Sequence, residues 1–211
     1  MTTTRQQQIL DIAAGLFAER GFHGVSVHDI GAACGISGPA LYKHFHGKDE
    51  ILTRSLTAIS EQLLQTGSAR ATAASSPADA LDALIGWHIE FALGHPALIV
   101  IQEREWTNLD AAGRKEVRAL QLSYIDLWVG TLRALRPGLD KADARAAVQA
   151  TFGLLNSTPH SARIKESQMH ELLTDMATNA LLGPLRTNAV DIFCWFGASL
   201  TNRKCPHLGG A

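Results

Sequence analysis

The chain has 211 residues, enough for one large domain or two smaller ones with a sizeable core. Its 46% hydrophobic and 18% charged residues exclude wholesale disorder, and its net charge of -1 excludes a uniformly basic nucleic-acid-binding domain. Three scattered cysteines, Cys34, Cys194 and Cys205, form no CxxC pair. They predict neither a disulfide framework nor a structural zinc site, so we expect a cytoplasmic protein.

The first predicted helix covers residues 3–20, where Ile9, Ile12 and Leu16 recur at helical spacing. Its polar start, MTTTRQQQ, lacks the apolar run of a signal peptide. The apolar run ALIVI at 97–101 is far shorter than the roughly 20 residues that span a bilayer. We therefore expect no membrane partner.

Two short helices are predicted next, at residues 27–34 and 38–45. Ser26 lies three residues before Asp29, the spacing of a helix-capping pair, and Ser37 can cap the second helix in the same way. Gly35 supplies the tight turn between them, because glycine accepts a positive φ. The pattern predicts a helix-turn-helix.

In such a unit the start of the second helix contacts base edges in the major groove of DNA. Gly38, Pro39 and Ala40 are small enough to allow a close approach, and Ala40 can contact a thymine methyl group. Leu41 and Phe45 share an apolar face and are expected to anchor the helix in the core.

Polar side chains follow on the other faces of this helix. We predict that Tyr42 and Lys43 contact phosphates, with guanine as an alternative for Lys43, and that His44 contacts a phosphate or a base edge. Lys48 is expected to bind a phosphate at the start of the next helix. Metal binding by Cys34, His44 and His46 is the competing interpretation. It is disfavoured because no further ligand pair lies nearby.

The segment SVHDIGAACGISGPALYKHFHGKDEIL, residues 26–52, resembles the DNA-binding signature of the TetR family of bacterial repressors. The preceding ILDIAAGLFAERGF resembles the family's first helix, so the match covers residues 5 to about 55. It implies a three-helix DNA-binding domain over residues 1–50. The candidate DNA contacts are Ser26, His28, Ser37, Gly38, Pro39, Ala40, Tyr42, Lys43, His44 and Lys48.

The sequence departs from the family pattern at a few positions. Gly31 replaces the usual alanine, which costs up to about 1 kcal/mol of helix propensity and is expected to loosen the first helix of the motif. His28 and His44 stand where basic or aromatic residues are common, so the pH and salt dependence of binding should be unusual.

Apolar spacing predicts six further helices, nine in all, and no strand is needed. The polar segment TGSARATAASSP, residues 66–77, is predicted to be a flexible joint. Residues 184–211 lack a clear period and form a tail of unknown role. The six helices are predicted at residues 48–66, 78–94, 97–106, 109–135, 140–157 and 167–182.

The resemblance implies that residues 51–183 form a helical effector-binding and dimerisation domain. A homodimer would pair residues 140–157 and 167–182 in a four-helix bundle, and each segment carries a broad apolar stripe. The two helix-turn-helix units of the dimer, related by a twofold axis, would then bind a palindromic operator in double-stranded DNA. The stripes alone fit an intramolecular core equally well.

Aromatic residues with a few polar groups are concentrated in the predicted fifth to eighth helices. Such a set is typical of a pocket for a small apolar or aromatic molecule, although each member could simply fill the core. Residues 152–161 also resemble a stretch of actinobacterial members that regulate fatty-acid and sterol breakdown, which implies an acyl-CoA or other lipid-derived effector. The candidate ligand contacts are Trp87, His88, Phe91, Glu103, Trp106, Tyr124, Trp128, Phe152 and Asn156.

The prediction is a ligand-responsive repressor. Effector binding would move the helix at 48–66 and so change the distance between the two helix-turn-helix units of the dimer. No GxSxG, HExxH or phosphate-binding loop marks a catalytic site. We therefore expect no catalytic residue, no cofactor and no metal. A small helical enzyme and a helical adaptor that binds no DNA are the alternatives.

Overall fold

The computed structural model describes residues 4–183, and within that range every regular element is helical. The all-α prediction is confirmed, and each of the nine predicted helices has a counterpart in this part of the chain. The unpredicted elements are a single turn of 3-10 helix at Trp106–Asn108 and the four-residue α9. The helices are α1 Arg5–Arg20, α2 Val27–Ala33, α3 Gly38–Leu41, α4 Lys48–Ala73, α5 Pro77–Gly94, α6 Pro96–Arg104, α7 Ala111–Leu135, α8 Lys141–Leu155, α9 Thr158–Ser161 and α10 Glu166–Leu182.

Side-chain caps begin several helices where the sequence predicts a break. The Ser76 hydroxyl accepts the Asp79 N–H at the start of α5, and Pro77 occupies the first turn, where no N–H is needed. Asp110 caps α7 by accepting the Gly113 N–H. The predicted tail at 184–211 lies outside the described residues.

The predicted flexible joint at 66–77 is wrong for its first eight residues, because α4 continues to Ala73. Gly67 faces α5 and α7 so closely that a Cβ atom there would lie 2.8 Å from Tyr124 Cε2. Arg70, one turn later, forms two hydrogen bonds with Glu90 and lies over the Trp87 ring. The small residues of this segment therefore allow close helix packing.

The N-terminal helices share their hydrophobic core with residues from beyond position 100. Ile101, Leu109 and Val117 are buried together with α1, α2 and the start of α4, and α6 packs against α1. Packing is thus continuous across residue 50, and a functional boundary at that residue stays a prediction. Farther along, α4 packs against both α5 and α7, and α7 packs against α8.

No single described helix is long and apolar enough to cross a membrane. Helices α5 and α6 pass the length and composition test only as a pair, and the chain bends by 86° between them.

Candidate DNA interface and ligand cavity

The turn of the helix-turn-helix is built by local hydrogen bonds and one glycine. The Ser26 hydroxyl accepts the Asp29 N–H and the Asp29 carboxylate accepts the Ser26 N–H, so the predicted capping pair is confirmed. The Ser26 hydroxyl also donates to the Asp29 carboxylate, and this bond together with the one from the Ser26 N–H holds the pKa of Asp29 below its ordinary value. Gly35 has a φ of 66°, the left-handed conformation that the turn requires.

Gly31 has a packing role that its helix propensity does not reveal. It is buried, and a Cβ atom there would lie 3.0 Å from the Ile36 carbonyl oxygen. The Ile36 N–H in turn donates to the Gly31 carbonyl at 2.9 Å. The missing side chain therefore lets the turn close against α2.

The second helix of the motif, α3, is shorter than predicted. It ends at Leu41, since the N–H groups of Lys43 and His44 bond to carbonyls three residues back. Leu41 and Phe45 are buried, which confirms their role as anchors. Tyr42, between them in sequence, has 55% of its surface exposed.

The ten predicted DNA contacts all keep access to solvent, and their role in DNA binding stays a prediction. Six are exposed: Ser26, His28, Ser37, Pro39, Tyr42 and Lys43. Four are half-buried: Gly38, Ala40, His44 and Lys48.

Lys48 has an internal role that the sequence did not indicate. Its ammonium group donates to the carbonyl oxygens of Phe22 at 2.8 Å and Val25 at 3.0 Å, and it lies 4.3 Å from the centre of the Phe22 ring. Lys48 thus joins the start of α4 to the loop that precedes α2. A phosphate contact can use only what remains of its donor capacity.

Two further residues brace the motif across long sequence separations. Arg5 Nη2 donates to the Cys34 carbonyl at 2.6 Å and so fixes the end of α2 to α1. The buried Glu105 accepts the Phe22 N–H at 3.2 Å and the Asn108 amide at 2.7 Å. Short sequence patterns do not reveal either contact, because the partners lie 29 and 83 residues apart.

A cavity of about 180 Å³ lies among α4, α5, α6, α7 and α8. Its walls are largely apolar, with a few amide, hydroxyl and imidazole groups, as in sites for small molecules. The lining residues are Ser60, Leu63, His88, Phe91, Ile99, Gln102, Gln121, Tyr124, Ile125, Phe152 and Asn156.

The cavity brings together five of the predicted ligand contacts, namely His88, Phe91, Tyr124, Phe152 and Asn156. The other four lie outside its lining. The Trp87 indole donates to the Leu63 carbonyl, and Trp128 is wholly buried behind the wall. Glu103 is exposed, and Trp106 packs against the N-terminal core, so the expectation that these two face the cavity is not met.

His88 is the centre of an aromatic cluster formed with Phe91, Tyr124, Trp128 and Phe152. Its ring stacks on Phe152 with the centroids 4.6 Å apart and lies nearly parallel to Tyr124 at 5.9 Å. Phe91 and Trp128 meet it edge-on. Asn156 fixes the ring by a hydrogen bond of 3.1 Å between its Oδ1 and His88 Nε2.

Burial controls the charge state of this cluster. It lowers the pKa of His88 to about 4, against a smaller raising effect of Asn156, so the imidazole is neutral near pH 7. Burial also raises the pKa of Tyr124 well above its ordinary value, against a weaker influence of Trp128. By geometry the Tyr124 hydroxyl and the Trp128 indole N–H form no hydrogen bond with each other, and each lacks a partner.

The competing metal interpretation gains no geometric support. Over residues 4–183, no three His, Cys, Asp or Glu side chains converge on a common point. Cys34 is buried, whereas His46 is exposed.

Comparison with known proteins assigns both parts of the chain. Residues 9–54 match the family described as bacterial regulatory proteins, tetR family, and residues 74–160 match the tetracyclin repressor-like C-terminal domain. The chain is 32% identical over 158 residues to the HTH-type transcriptional repressor KstR2 of Rhodococcus jostii, covering 73% of this chain and 76% of that protein.

Solved structures share the fold. The TetR family regulator PfmR of Thermus thermophilus superposes with a TM-score of 0.71 at 26% identity, over 88% of this chain and all of that one. AibR, solved in complex with isovaleryl coenzyme A and operator DNA, superposes with a TM-score of 0.67 at 21% identity. That match covers 82% of this chain and 97% of AibR.

Proposed function

The chain belongs to the TetR family of transcriptional regulators, which bind DNA and are not enzymes, and we propose that it is a homodimeric repressor of a palindromic operator, released by a small apolar effector. The reading head, residues 26–48, would bind DNA. The cavity would bind the effector.

The observation that carries this proposal is that α4 belongs to both regions. Its first residue, Lys48, is bonded to the loop before α2, and Ser60 and Leu63 line the cavity. Twelve helical residues span about 18 Å, so a tilt of α4 caused by an occupant would be transmitted to the head. An occupant that binds the tilted state better than the DNA-bound state would release the operator.

Helix α6 provides a second connection. Ile99 and Gln102 line the cavity, and Glu105, one turn after Gln102, accepts the Phe22 N–H of the loop that Lys48 also holds. A shift of α6 would therefore act on the same loop as a shift of α4. Both connections therefore end at the backbone of Phe22, one at its carbonyl oxygen and the other at its N–H.

The predicted base and phosphate contacts fit the exposure of the reading head. Gly38, Pro39 and Ala40 would lie closest to the bases, while Tyr42, Lys43 and His44 would bind the backbone or a base edge. Ser26, His28 and Ser37 are exposed at the N-terminal ends of the two helices and would bind phosphates. Lys48 would contribute mainly by fixing the start of α4 to the loop that precedes α2.

Dimerisation through residues 140–157 and 167–182 is supported by apolar surface on α10. One face of α10 is buried within the chain and is formed by Met169, Leu173, Ala177 and Leu181. Leu172 and Met176 are also apolar but are 45% and 44% exposed. A second copy of the chain would cover them, as expected for a helical-bundle dimer.

An acyl-CoA or other lipid-derived effector is supported by the likeness to AibR, whose solved complex contains isovaleryl coenzyme A. The cavity of about 180 Å³ exceeds the roughly 150 Å³ of an engineered cavity that binds benzene. It would enclose a short acyl chain or one ring. A nucleotide portion would lie outside it.

Selection of bound DNA from random duplexes tests the proposal, with the full chain at about 0.15 M salt. We expect enrichment of one inverted repeat whose half-sites lie about one helical turn apart. A matched pair of variants sharpens the test: Lys43→Ala in the head should weaken binding, whereas Lys115→Ala, at an exposed position of α7 outside the head and the proposed dimer helices, should not. Recovery of unenriched DNA would instead favour the adaptor or enzyme alternatives.

A further inference from the structure

A basic groove lies beside the ligand cavity, at the start of α7. Its lining residues are Trp106, Arg114, Lys115 and Arg118. We propose that the basic groove binds the phosphate-bearing end of an elongated effector whose apolar end fills the cavity. This inference rests on the proposed function, because the molecule would be the effector. It adds a second subsite, the chemical group bound there and the two arginines that hold it.

One face of α7 runs from the basic groove into the cavity. Arg114 and Arg118 line the groove, whereas Gln121 and Ile125 line the cavity. These four positions follow one another at steps of four, three and four residues, which places their side chains on the same side of the helix. Along this face the side chains change from cationic to neutral polar and then to apolar.

The segment opposite α7 has the same order of side chains. Ile99 and Gln102 of α6 line the cavity, and Trp106, four residues after Gln102, lines the groove. The Arg118 guanidinium lies 5.8 Å from the centre of the Trp106 ring, so the two segments meet at the groove. Each segment therefore has a glutamine, Gln102 or Gln121, between its groove residue and an apolar cavity residue. These amides can bond to a neutral polar linker that joins the two ends of the effector.

The positive charges of the groove are not neutralised by the described chain. No carboxylate lines the groove, and within residues 4–183 no ion pair involves Arg114, Lys115 or Arg118. Lys115 and Arg118 are exposed, and Arg114 is half-buried. Three uncompensated cations around one groove attract an anionic group.

Both arginines are positioned by contacts within the chain. Arg114 Nη1 donates to the Leu109 carbonyl at 2.5 Å, and the Arg118 guanidinium lies over the Trp106 ring. A guanidinium group has five N–H donors, so each arginine keeps donors for phosphate oxygens. Side chains that are already positioned lose less conformational entropy when a ligand binds.

The cavity itself cannot enclose the anionic end. Its described wall contains no Lys, Arg, Asp or Glu side chain, so a phosphate there would lack a counter-charge and lose its hydration. Arg114 and Ile125 lie eleven residues apart, which is about 16 Å along the axis of α7. The effector should therefore carry its phosphate at about this distance from its apolar end.

Three probes separate the two subsites. Isovaleryl coenzyme A has an acyl group, amide linkers and phosphates; the isovaleryl thioester of N-acetylcysteamine lacks the phosphates; and free coenzyme A lacks the acyl group. Calorimetric titration of the full chain without DNA should give a Kd for isovaleryl coenzyme A of about 0.1 mM or tighter. Each of the other probes should bind at least about tenfold more weakly. Equal binding of free and isovaleryl coenzyme A would contradict a molecule that uses both subsites.

A second pair of probes distinguishes a lipid phosphate from a nucleotide thioester. Octyl phosphate and 1-octanol have the same chain, and only the first has a phosphate. Preferential binding of octyl phosphate without binding of isovaleryl coenzyme A would support the phosphate subsite and assign it to a lipid phosphate. The inference is overturned when neither phosphate ester binds more tightly than its phosphate-free counterpart.

A variant then assigns the phosphate contact to the groove. Arg118→Ala should weaken binding of the phosphate ester about tenfold, the effect of one charge-assisted hydrogen bond, and leave the phosphate-free probe unchanged. Its melting temperature should stay the same, because Arg118 is exposed. Added salt should weaken phosphate-ester binding more in the wild type than in the variant.

Arg20→Ala is the matched control for this variant. It removes the same group at an exposed position at the end of α1 and should leave both affinities unchanged. Unchanged affinity for the phosphate ester in Arg118→Ala would overturn the inference.

These outcomes are separable from those of the DNA selection. Phosphate-dependent probe binding without an enriched inverted repeat would support the groove and contradict the repressor. An enriched inverted repeat with probe binding that ignores the phosphate would do the reverse. Lys115→Ala stays a control in the DNA selection, because that experiment contains no effector.

Discussion

The reading head and the ligand cavity are built by opposite means. The head is assembled from residues 26–48, which are close in sequence, and its backbone groups are satisfied by caps and turns. The cavity takes its walls from side chains of five helices between Ser60 and Asn156, which are far apart in sequence. A preformed surface can bind DNA without rearrangement, whereas a molecule that binds in the cavity would stabilise the folded chain in proportion to its concentration and affinity.

The largest expected effect is at an anchor of the head. Phe45→Ala should lower the free energy of unfolding by about 4 kcal/mol, because Phe45 is 1% exposed and its loss leaves a void. Urea denaturation followed by circular dichroism measures this change. Tyr42→Ala, at a 55% exposed neighbour, should cost less than about 0.5 kcal/mol yet still weaken DNA binding. Equal costs would contradict the division into anchors and reading residues.

The next effect comes from the cavity and depends on pH. The pKa of His88 is about 4 in the folded chain and about 6.5 when unfolded, so only the unfolded state takes up a proton between these values. Stability from this group is complete above pH 6.5 and falls by about 3 kcal/mol as the pH drops to 4.

Urea denaturation at several pH values measures that loss. His88→Phe lacks the titrating group, so its stability should fall less steeply over the same interval. Parallel curves for the wild type and the variant would show that His88 is not held neutral by burial.

The connection between the two regions should have an intermediate effect. Glu105→Ala leaves the Phe22 N–H and the Asn108 amide without their acceptor and should cost about 2 kcal/mol. Glu103→Ala, two residues earlier and exposed, is the control and should be nearly neutral. Thermal denaturation of both variants tests the comparison, and equal stabilities would remove the proposed α6 connection.

The smallest effect on stability separates two lysines of the head. Lys43 is exposed, so Lys43→Ala should leave stability unchanged and reduce the salt dependence of operator binding by about one unit per half-site. Lys48→Ala should instead lower the melting temperature, because the Phe22 and Val25 carbonyls lose their donor. Operator titrations at several salt concentrations and a thermal scan distinguish the two roles. The reverse pattern would contradict the internal role of Lys48.

Local chemistry explains what the sequence could predict. The Ser26 cap, the Gly35 turn and the buried pair Leu41 and Phe45 depend on neighbours within four residues, and the structure has all of them. The length of α4 was mispredicted because small residues such as Gly67 read as a linker, whereas they permit close packing against α7.

Long-range packing explains what the sequence could not predict. Nothing in the sequence distinguishes Trp128 from Tyr124 as a cavity residue, since both are aromatic residues of α7, one turn apart. Exposed Glu103 was preferred over buried Glu105, whose partner Phe22 lies 83 residues away. Such contacts depend on how helices pack, which short sequence patterns do not encode.

Thermodynamic linkage between the two regions tests the central claim most directly. The Kd for the selected inverted repeat should be measured with and without saturating acetophenone, a small uncharged one-ring probe of the cavity, and the Kd for acetophenone with and without that DNA. The account predicts that acetophenone weakens DNA binding about fivefold or more and that DNA weakens acetophenone binding by the same factor. Equal DNA affinities with and without acetophenone would contradict it.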